Sequence, residues 1–175
     1  MEKRIYLASK GNTTVGAEFD ITNNRAVMLK PIQYNSNQAG LAGVREVALY
    51  SLIETIQNTD FTGVDRPVYM YVITALSDII ANGTYKYWIL TGKKSSGEDV
   101  DPNELELWKQ FHELYTQYGL YIHIKDIHKC LLPKNSRFKP DRLALAGDTY
   151  YKALQKKLQD LGVGSSSVPG LEEAY

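Results

Sequence analysis

At 175 residues, with 43% apolar and 23% charged side chains, the chain has the length and composition of one globular domain with a sizeable core. Twenty basic and twenty acidic side chains cancel, which argues against a protein that holds nucleic acid mainly by bulk positive charge but leaves room for a local basic patch. The single cysteine, Cys130, excludes an internal disulfide and fits a reducing compartment.

The opening MEKRIYLASK has no apolar run behind its charges, so it does not read as a secretory signal. No stretch approaches the roughly 20 apolar residues of a membrane helix. The expectation is a soluble, cytoplasmic protein with no membrane contact. Residues 3–9 read as a strand ended by Gly11 and Asn12, residues 15–21 as a second, and residues 26–32 as a third after the turn Thr22-Asn23-Asn24. Short connections make these an antiparallel meander.

From 41 to 57 the apolar residues Leu41, Val44, Ala48, Leu49, Leu52, Ile53 and Ile56 recur at helical spacing. Pro67 then opens PVYMYVI, whose nearly continuous apolar character suits a strand buried on both faces. A short helix over 75–81 stops at Asn82-Gly83. Residues 85–90 fit no single pattern, and TGKKSSGEDVDP reads as a solvated loop. Asp101-Pro102 starts a strong helix with Leu105, Trp108, Phe111, His112 and Tyr115 on one face, ended at Gly119. Residues 120–125 read as the next strand, and the basic loop HKCLLPKNSRFKP leads to a last helix over 141–161. Residues 1–161 are expected to be one domain. The small, polar stretch 162–175, GVGSSSVPGLEEAY, is expected to be a flexible tail.

There are thirteen tyrosines. Pairs such as Tyr69 with Tyr71, and Tyr85 with Tyr87, would share one face of an extended segment. They fill a β-rich core or form a surface on which bases or a protein partner could rest.

The element order, with several local words in sequence, resembles the ribonuclease H family. The words are IYLASKGN for the first strand, VREVALYSLIETI for the first helix, VYMYVITALSDII for the fourth strand and second helix, NELELWKQFHEL for a later helix, LYIHIKDIHK for the fifth strand and RFKPDRLALAG for the last helix. The resemblance implies an α/β fold: a five-stranded mixed sheet, three antiparallel strands followed by helix-linked ones, with helices on both faces.

Active members of that family hold two divalent ions with four carboxylates, one ion activating water and both stabilising charge at the scissile phosphate. Hard Mg²⁺ takes oxygen ligands, so an apolar replacement is a poor one. Carried across, the first-strand Asp falls at Ala8 and the fourth-strand Asp at Thr74. The helix Glu matches Glu46 and the final-helix Asp matches Asp141. The family's mobile His has only His128 nearby, in a loop that departs from the family pattern. Residues 3–10 contain no carboxylate, so the loss at Ala8 survives a small shift of register. Asp78 and Asp126 are the acids nearest to the Thr74 position. No catalytic residue and no bound metal is expected, and Mg²⁺ or Mn²⁺ enters only if the relic site is active.

Glu46 and Asp141 also have purely structural readings, on a solvent-facing helix surface and at a helix start. His112 and His123 read as packing residues, and Trp108 as a core anchor. Lys93, Lys94, Lys125, Lys129, Lys134 and Arg137 are either solubilising charge or phosphate contacts. Three functions stay open: a non-catalytic scaffold or adaptor with a protein partner, a nucleic-acid-binding module for an RNA–DNA hybrid or structured RNA, and a divergent metal-dependent ribonuclease H. The resemblance also implies a viral or mobile-element source.

Overall fold

The computed structural model describes residues 3–10, 12–20, 25–34, 43–63 and 66–127. The expected last helix and tail, with His128, Lys129, Cys130, Lys134, Arg137 and Asp141, lie outside the described residues.

Period-two alternation builds β1 (Lys3–Lys10) and β2 (Thr13–Asp20), which pair antiparallel from Lys3 opposite Asp20 to Lys10 opposite Thr13. The third strand expected over 26–32 is instead two pieces, β3 (Arg25–Met28) and β4 (Ile32–Gln33), both antiparallel to β2. Pro31 lies in the break; it has no N–H to give the ladder and its φ is fixed.

Helix α1 (Val44–Asn58) buries Val47, Ala48, Leu49, Leu52, Ile53 and Ile56. β5 (Val68–Val72) runs parallel to β1, with Tyr6 opposite Tyr71. α2 (Thr74–Asn82) ends at Gly83, whose φ of 70° is the left-handed value that a side chain resists. The stretch that fitted no pattern is a further helix, α3 (Thr84–Thr91). Tyr85 and Tyr87 therefore do not share a strand face: Tyr85 is buried and Tyr87 is exposed. α4 (Pro102–Tyr118) begins with Asp101, whose carboxylate accepts from the Asn103 N–H at 2.8 Å, and with Pro102 in the first turn. It ends at Tyr118 with Gly119 as its C-cap, as expected, and a tight 3-10 turn (Gly119–Tyr121) follows. β6 (Ile122–Asp126) is parallel to β5.

The sheet order is β3-β2-β1-β5-β6, with β4 also on β2. The antiparallel meander and the parallel, helix-linked strands give the mixed α/β sheet that the ribonuclease H resemblance implies. The main hydrophobic cluster among the described residues lies on one face, where Ile5, Leu7, Met70 and Val72 meet Leu52 and Trp108, while Tyr6, Ala8, Val15 and Tyr71 are buried on the other. Leu76 of α2 and Tyr85 and Trp88 of α3 join the same cluster, so the four described helices share that face. Trp108 is fully buried, as a core anchor should be. The helix expected on the other face belongs to 141–161, outside the described residues. No described helix is long and apolar enough to cross a membrane.

Candidate functional site

β1, β5 and β6 are parallel, so their carboxyl ends finish together, at Ala8–Lys10, Val72 and Asp126. α1 runs back along them. Ser51 donates to Thr14 Oγ1 at 2.7 Å, and Thr14 sits opposite Ser9 near the end of β1. Residues of the next turns of α1, Thr55 and Asn58, lie instead with Lys3 and Ile5 at the start of β1. Glu46, in the first turn of α1, is therefore at the same end as Ala8 and Thr74. Three of the four positions selected from the sequence thus lie toward the same end of the sheet, and the fourth, Asp141, lies outside the described residues.

Each of the three has a definite environment. Ala8 is fully buried and pairs with Val15 across β1 and β2. By alternation its methyl faces away from Leu7 and the helices. Thr74, the first residue of α2, donates its hydroxyl to Asp126 Oδ1 at 2.9 Å, which ties the start of α2 to the end of β6. Asp126 thus does approach the Thr74 position. Asp78, one turn further on, is exposed.

Glu46 is buried beside the start of α4. Desolvation pushes its carboxyl above the ordinary range, and the charges of Asp101 and Glu104 push it the same way. Tyr34, next in this group, has its phenol raised by burial and then by Glu46 and Asp101. The solvent-facing reading of Glu46 is therefore wrong. Glu104 has what Glu46 lacks: Arg45 grips both its oxygens, with Nη2 to Oε2 at 3.0 Å, and the Trp108 indole N–H donates to Oε1 at 3.2 Å. Arg45 also lies over the Trp88 ring at 5.1 Å. This clasp between α1 and α4 has no sequence signal beyond an Arg-Glu pair and a Glu four residues before a Trp. Among the described residues no three His, Cys, Asp or Glu side chains converge so as to hold a metal ion.

The basic candidates do not form one patch. Lys93 donates to Asp99 Oδ1 at 2.8 Å across a short turn that also carries Lys94, so its charge is answered locally. That bond holds the Lys93 ammonium above its ordinary value and the Asp99 carboxyl below its own. Lys125 is exposed on β6, and His123 is exposed two residues earlier with its ring on Tyr69 at 5.3 Å. His112 is exposed on α4, 6.0 Å from the Tyr85 ring. A groove of about 610 Å³ opens at the opposite end of the sheet, between Lys3, Ile5, Leu29 and Ile32 and the end of α1.

No family model matches the chain, and no curated protein matches it. Among solved structures, the chain is similar to that of a selenomethionine-labelled mutant of prototype foamy virus protease-reverse transcriptase, at 14% identity and a TM-score of 0.49. The match covers 83% of this chain and 20% of the viral one, so this chain spans about a fifth of that protein's length.

Proposed function

We propose that this chain is a degenerate ribonuclease H-like module that does not cleave nucleic acid and serves as a scaffold or adaptor through protein contacts. The observation that carries the reading is the donor set at the carboxyl ends of β1, β5 and β6. Where four carboxylates would be needed, Ala8 offers a buried methyl and Thr74 offers a hydroxyl committed to Asp126. Glu46 is held where burial and two neighbouring carboxylates favour its protonated form. Two Mg²⁺ ions a few ångströms apart need dense negative charge between them. The described residues do not fit such a pair.

The test is incubation of the full chain with an end-labelled RNA–DNA hybrid in Mg²⁺ and, separately, in Mn²⁺. The expected result is intact hybrid in both. Cleavage that disappears in Glu46→Gln would overturn the reading, because it would show Glu46 working as a ligand.

A further inference from the structure

We draw no further inference here: the strongest candidate, the groove of about 610 Å³ between the start of β1, residues 29–32 and the end of α1, has a mixed lining of apolar and charged side chains, and nothing in the structure shows what covers it.

Discussion

Glu46 and Glu104 sit on facing helices, and both are almost fully buried, yet they meet opposite fates. Glu104 receives the Arg45 fork and the Trp108 N–H, which together offset much of the cost of burying its charge. Glu46 faces the same acidic neighbourhood without such a fork. A carboxyl raised in the folded state binds its proton more tightly there than in the unfolded chain. Its favourable contribution is therefore present at low pH and is lost as pH climbs through the raised value. Glu46→Gln mimics the protonated form, so it should raise the melting temperature at neutral pH. The gain should shrink as pH falls toward the ordinary carboxylate range. Thermal unfolding of both proteins across pH 4 to 8 checks the sign, and a gain that grew on acidification would refute the assignment. The sequence gives no sign of the different burial environments of these two glutamates. What distinguishes them is the packing of α1 against α4, a contact between residues about sixty positions apart.

At the scale of elements, Gly83 does two tasks at once: it closes α2 and precedes the first residue of α3. Its φ is 70°, and a Cβ added there would meet nothing within 4 Å, so only the backbone conformation resists substitution. Gly83→Ala should cost about 1 kcal/mol, measured by urea denaturation, and Gly83→Asn less, because asparagine tolerates the left-handed region. Gly16 is the contrasting case. A Cβ there would stand 2.8 Å from Leu7 Cδ2 and 3.0 Å from the Tyr6 carbonyl oxygen, so space decides. The helices over 44–58 and 102–118 were legible because their apolar spacing and caps agree with their burial. α3 was not, since TYKYWILT mixes β-branched and aromatic residues that favour strands by local preference. Two buried rings, Tyr85 and Trp88, three residues apart, hold it in the helical state against Trp108.

The whole molecule shows how far local words reach. The antiparallel meander and the helix-linked strands of a mixed sheet followed from the sequence, whereas the order of the strands across the sheet came from the structure. The environments of Ala8 and Thr74 did not follow from the sequence, because burial of Ala8 and the Thr74–Asp126 bond depend on strands brought together from far apart. Restoring the missing first-strand acid should therefore not restore a metal centre. Ala8→Asp places a carboxylate at a fully buried position beside Val15 and should cost about 3 kcal/mol at neutral pH. Less should be lost in acid, where the group is protonated. Denaturant unfolding with and without Mn²⁺ tests this, and recovery of stability on adding Mn²⁺ would reveal a latent ion site.

The break at Pro31 has a consequence for how copies of this chain treat one another. β2 carries its outer neighbours as two short pieces rather than one long strand, and the interruption falls on the margin of the sheet. A continuous margin would present an unbroken row of backbone donors and acceptors to any second chain, which is how sheets grow into aggregates. Here β3 runs for four residues, Leu29 adds one more bond to Gly16, and Pro31, which cannot donate, then interrupts the row before β4. At this margin the backbone itself limits strand addition.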